Sequence, residues 1–154
     1  MFVLLRQLQE LGRLAGLGRP ERIGSLMMRH VDAGSCNGCE HEVGALANPF
    51  YDLSRYGLGI AASPRHADVL LITGAVTTRM RDALLRAYES MPEPRLVAAL
   101  GDCALGCNVL GLPTEQLGGV RQLLPVDIEI AGCPPTPAAI AASLLAALDL
   151  QRRR

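Results

Sequence analysis

Four of the five cysteines fall in three short segments marked by glycine and proline: Cys36-Asn37-Gly38-Cys39, Gly101-Asp102-Cys103 and Gly132-Cys133-Pro134-Pro135. A C-x-x-C pair joined by two single thiols from distant loops makes a four-sulfur ligand set, and that spacing points to one iron–sulfur cluster. The chain must then fold so that three turns far apart in sequence meet at one place. Few architectures do this with loops alone, and the rest of the sequence indicates which one.

The segments between the cysteines alternate between strand and helix. Strands are expected over 25–31, near 57–61, and over 68–73, 95–100 and 126–131. Helices are expected from Cys39 to Ala47 and from Thr77 or Thr78 to about Ser90. A last helix follows Thr136-Pro137, with Thr as its cap and Pro in its first turn. Such alternation builds a mostly parallel sheet covered by helices on both faces, an α/β domain assigned to residues 21–154. Residues 1–20 form a separate arm. Within it, residues 2–17 carry Leu4, Leu8 and Leu11 on one face and Arg6, Glu10 and Arg13 on the other, the pattern of an amphipathic helix. Gly16-Leu17-Gly18-Arg19-Pro20 then breaks it. The arm either folds back on its own domain or docks on a membrane-embedded partner or the bilayer surface.

Composition narrows the class. With 49% hydrophobic and 19% charged residues, the chain can build a real core, and with no Trp and 3% aromatics that core is aliphatic. A formal net charge of +0 argues against nonspecific nucleic-acid binding. The first residues lack the apolar run of a secretory leader, and no stretch reaches the roughly 20 apolar residues of a spanning helix. A reducing, cytoplasmic compartment is expected, where cysteine spacing of this kind reads as metal binding rather than as disulfides.

Cys36 follows the first expected strand, Cys103 the strand ending at Leu100, and Cys133 the strand ending at Ala131. All three ligand loops thus sit at carboxyl ends of parallel strands, where open α/β sheets place their ligand crevices. Structural zinc is the competing metal. A site of Cys36, Cys39, Cys103 and Cys107 would have two close pairs, as zinc sites do, and would leave Cys133 free. Spacing alone leaves both metals open.

At these residues the chain resembles a known family: the small, proximal-cluster subunit shared by nickel–iron hydrogenases and respiratory complex I, whose complex I member is the 20 kDa subunit. The resemblance runs from about Ser25 to Ala147. It is carried by Asp32-Ala33-Gly34-Ser35-Cys36-Asn37-Gly38-Cys39-Glu40, Ala67 to Gly74, Gly101-Asp102-Cys103-Ala104 and Gly132-Cys133-Pro134-Pro135-Thr136-Pro137. It implies a flavodoxin-like domain holding one [4Fe-4S] cluster, with Cys36, Cys39, Cys103 and Cys133 as ligands and Cys107 as a nonligand. Complex I relatives have adjacent cysteines at the first ligand site, and this chain has C-x-x-C there, as hydrogenases do. No cysteine follows Cys133, which sets it apart from uptake-hydrogenase small subunits with further clusters. The resemblance therefore points to the energy-converting, complex I-like hydrogenases of the formate hydrogenlyase and hydrogenase-4 type.

On that resemblance, the chain carries electrons between a ferredoxin-like iron–sulfur subunit and a large catalytic subunit. The expected setting is the cytoplasmic face of the cell membrane, with a membrane-embedded subunit reached through residues 2–17. A quinone-reducing complex I-like oxidoreductase and a zinc-stabilised interaction module are the alternatives. Glu42, three residues after Cys39, is a candidate for a role beside the cluster, against a plain reading as a helix N-terminal acid. His30 is expected to be structural or at the surface.

Overall fold

The computed structural model describes residues 25–107 and 115–152. The expected amphipathic arm lies outside them. The core is a five-stranded parallel sheet of β1 (Leu26–Asp32), β2 (Leu58–Ile60), β3 (Val69–Thr73), β5 (Leu96–Leu100) and β7 (Ile128–Ile130), in the order β2-β1-β3-β5-β7. Counted alone, these strands run 2-1-3-4-5, the flavodoxin-like order. A short antiparallel pair, β4 (Val76–Thr77) and β6 (Gln116–Gly118), stands beside the sheet.

The central strands explain the topology. Every residue of β3 (VLLIT) and of β5 (LVAAL) is buried, so these strands must be covered on both faces. Alternate residues supply two separate cores. Val69, Leu71, Leu96, Ala98 and Leu100 face one side, where helix α4 (Pro137–Arg152) packs Ile140 and Leu144 against them. Leu70, Ile72, Val97 and Ala99 face the other, against Leu84 of helix α2 (Thr78–Glu89) and Ala104 of the short helix α3 (Asp102–Leu105). Each leucine so buried contributes about 1.5–3 kcal/mol. Helix α1 (Gly38–Ala45) covers the first face near the β2 edge, with Val43 packed on the core.

Aspartates hold the strand entrances in register. Asp68 Oδ2 accepts from Met27 N at 2.8 Å, and Asp127 Oδ2 from Val97 N at 2.9 Å. The expected caps form as well. Thr77 Oγ1 accepts from Met80 N, and Thr136 Oγ1 from Ala139 N, both at 3.3 Å. Strand and helix boundaries agree with expectation to within a few residues. Among the described residues, no helix is long and apolar enough to cross a membrane.

Candidate metal centre

β1, β3, β5 and β7 all end at the same rim, and the loops leaving them enclose a cavity of about 140 Å³. Its lining includes Cys36, Cys39, Cys103 and Cys133, with Ser35, Gly74, Asp102 and Pro134 among the other residues. The structure thus brings together the four cysteines singled out in the sequence. Cys107 is exposed and does not line the cavity, and neither does Glu42, which is half-buried on α1.

Each loop has its own device for presenting sulfur. After β1, Asp32 Oδ1 accepts from Gly34 N at 2.9 Å and from Ser35 N at 2.8 Å, which turns the chain sharply. Asn37 then takes a left-handed conformation, φ 67°, and starts α1, so Cys39 lies in its first turn. After β5, Gly101 at φ 90° leads directly into α3 and places Cys103 on it. A Cβ on Gly101 would lie 2.6 Å from Cys39 Sγ, so the backbone of the β5 loop closely approaches the Cys39 thiol of the β1 loop. Gly74, at φ 76°, lets the end of β3 pass under the same turn, where a Cβ would meet Ser35 N at 2.4 Å.

The third loop is tied to the second by a reciprocal pair. Asp102 Oδ1 accepts from Gly132 N at 2.7 Å, and Asp102 N donates to Gly132 O at 2.9 Å. Gly101 N also donates to Ile130 O at 2.7 Å. These bonds fix Cys133 relative to Cys103. The sequence reading gave Asp102 no role, because its function depends on the pairing of β5 with β7. Asp102→Ala is expected to destabilise the fold by about 1.5–3 kcal/mol, the worth of a hydrogen bond to a charged group. Urea denaturation of the variant would measure it, and a midpoint equal to wild type would show that the bond contributes nothing.

Electrostatics favour a cation here. Burial pushes the Cys39 thiol up to about 12, and the negative charges of Glu40 and then of Cys103, Cys36 and Cys133 push in the same direction. The four sulfurs can all become thiolates only if positive charge enters among them. Four thiol donors around a backbone cradle suit a thiolate-ligated iron–sulfur cage. A single ion needs its sulfurs about 2.3 Å from one point. Among the described residues, no three His, Cys, Asp or Glu are gathered so as to hold one ion.

A polar cluster lies beside Cys39. Ser35 Oγ donates to Glu40 Oε2 at 2.6 Å, and His30 Nε2 stands 3.7 Å from Glu40 Oε1. His30 Nε2 also shares a hydrogen bond with Thr73 Oγ1 at 3.0 Å, which satisfies the one buried polar side chain of the described core. His30, half-buried, thus joins Thr73 to Glu40 without lining the cavity.

Residues 36–147 match the family described as NADH ubiquinone oxidoreductase, 20 Kd subunit, a match that opens at Cys36 and runs into α4. The chain belongs to that family. Among 20 Kd-subunit relatives, formate hydrogenlyase subunit 7 of Escherichia coli (strain K12) is 42% identical over 130 residues, 84% of this chain and 51% of the relative. The chain thus spans about half the length of that protein. The probable membrane-bound hydrogenase subunit mbhJ of Pyrococcus furiosus is 41% identical over 120 residues, 78% of this chain and 72% of the relative. Among solved structures, a chain of the membrane-bound sulfane sulfur reductase, an archaeal respiratory membrane complex, superposes with a TM-score of 0.69 at 31% identity. It covers 86% of this chain and 73% of its own. The 20 Kd-subunit family and the flavodoxin-like strand order both agree with the sequence-based expectation.

Proposed function

We propose that this chain is the electron-transfer subunit of a membrane-associated, complex I-like nickel–iron hydrogenase, with Cys36, Cys39, Cys103 and Cys133 holding one [4Fe-4S] cluster. The observation that carries the reading is the convergence of those four cysteines on one cavity at the carboxyl rim of the sheet, with Cys107 outside it. The names of two relatives, a formate hydrogenlyase subunit and a membrane-bound hydrogenase subunit, support the choice of complex.

When bound, such a cluster supplies a one-electron relay. The chain's own residues do the rest. The four thiols bind it. The Gly101 backbone packs against Cys39 and leaves no space for a side chain there. Asp102 locks two ligand loops to each other. Cys36, Cys133 and Pro134 are exposed at the rim, so a partner seated over them would exclude water from the site. In this reading that partner is a large catalytic subunit, and a ferredoxin-like subunit exchanges electrons on another side. The arm of residues 1–20 would meet a membrane-embedded subunit, which places the assembly at the cytoplasmic face of the membrane.

A second reading keeps the cluster and changes the terminal chemistry. The similarity to a chain of a sulfane sulfur reductase complex favours it, because that complex is named for a reaction other than hydrogen turnover. Anaerobic purification with the native partners separates the readings. Iron and acid-labile sulfide with nickel in the complex support the hydrogenase. Iron and sulfide without nickel support quinone or sulfur reduction. One zinc per chain with no sulfide overturns the redox role altogether.

A further inference from the structure

The cluster beside Cys39 contains an anomaly. Glu40 Oε1 is buried and has no hydrogen-bond partner, while Oε2 has Ser35 Oγ at 2.6 Å. An unpaired oxygen on a largely buried carboxylate is costly, and such groups are normally matched by a cation. The nearest candidate is His30, but its Nε2 is 3.7 Å away and is already engaged with Thr73 Oγ1. Burial, the largest influence on His30, pushes its pKa down and favours the neutral ring, against the pull of Glu40 and Asp32 and together with the push of Arg29. Among the described residues, no arginine pairs with Glu40. His30 is thus the one basic side chain found near it among the described residues. Glu40 directly follows Cys39, and Ser35, which holds it, lines the cavity together with Cys36 and Cys39.

We propose that the Glu40 carboxylate, held by Ser35 with its second oxygen unpaired, acts through Cys39 to keep the reduction potential of the bound cluster low. The inference rests on the cluster assignment above. Reduction adds one electron to the cluster, with no bond made or broken at Glu40 and no proton required there. A fixed negative charge close by raises the cost of that electron, so the potential falls. Glu40 is in this sense a positioning residue. It contributes charge beside a ligand and is not itself a ligand.

The test is a redox titration of the full chain reconstituted anaerobically with iron and sulfide, followed by visible absorbance and EPR. Glu40→Gln keeps the shape and removes the charge, and it is expected to shift the midpoint to a more positive potential. Glu40→Asp keeps the charge and is expected to stay nearer the wild-type value than Glu40→Gln does. Ser35→Ala removes the donor to Oε2 and leaves the charge less shielded, so its midpoint should move the other way. A loaded Glu40→Gln chain that titrates at the wild-type potential overturns the proposal. If Glu40→Gln fails to load, Ser35→Ala decides, and an unchanged or more positive midpoint overturns it. A wild-type chain that takes up no iron and sulfide sinks the cluster assignment and this inference together, whereas a loaded chain without the shifts sinks only the inference.

Discussion

Cys133→Ser is expected to strip the reconstituted chain of iron and sulfide, while Cys107→Ser is expected to leave both in place. The contrast is the sharpest available, because spacing alone allows either cysteine to complete a set of four. Cys133 lines the cavity with Cys36, Cys39 and Cys103, and the Asp102–Gly132 pair holds it there. Cys107 follows the end of α3, where its N–H donates to Asp102 O at 2.9 Å and its side chain is exposed. Serine is a poor iron ligand beside a thiolate, and loss of one ligand opens the cage to solvent and oxygen. Cys36→Ser, Cys39→Ser and Cys103→Ser should behave as Cys133→Ser does. The measurement is iron and sulfide per chain, with EPR of the reduced protein. Loss in the Cys107 variant together with retention in the Cys133 variant would reverse the assignment.

Gly101→Ala is expected to have the second largest effect, from a change of a single methyl group. Gly101 sits at φ 90° and ψ 154°, a region almost confined to glycine, where a side chain costs about 1–3 kcal/mol on its own. The new Cβ would also stand 2.6 Å from Cys39 Sγ, closer than real contacts allow. Neither neighbour can yield without cost. Gly101 is anchored by its hydrogen bond to Ile130 O, and Cys39 is fixed on the first turn of α1. The sulfur must therefore move, and cluster content should fall sharply along with stability. Gly44→Ala is the control. That glycine lies on α1 with nothing within 4 Å of its would-be Cβ, so alanine there should stabilise the fold by about 1 kcal/mol through helix propensity. Urea denaturation and iron analysis of both variants give the comparison. A Gly101→Ala chain with wild-type stability and full iron would mean that the contact with Cys39 imposes no constraint.

The parts of the fold legible in the sequence are those with a strong local signature. β3 and β5 are unbroken apolar runs, and only a strand covered on both faces carries such a run. Thr77 and Thr136 announce their helices because a cap is a local hydrogen bond. The convergence of Cys36, Cys39, Cys103 and Cys133 was legible for a related reason, since each loop follows a strand and parallel strands end together.

The β4–β6 pair left no trace, because strands of two and three residues show no period and their partners lie forty residues apart. Helix α3 is a single turn between Gly101 and Gly106, too short to have an apolar face. At the site, Glu40 carries no local signature of its contacts. Glu40 reaches Ser35 and His30 only because Asn37 reverses the chain in a left-handed turn, and the carboxylate then meets a side chain from the middle of β1. That meeting is a property of the tertiary fold.

The order of the strands has a consequence for biogenesis. Cys133 reaches the rim only when β7 has zipped onto β5, and β7 is an edge strand and the last strand to leave the ribosome. A nascent chain that has emerged only as far as β5 can offer two sulfurs, Cys36 and Cys39, and an open flank. Under the proposed assignment, all four sulfurs are presented together only by a sheet that is already complete.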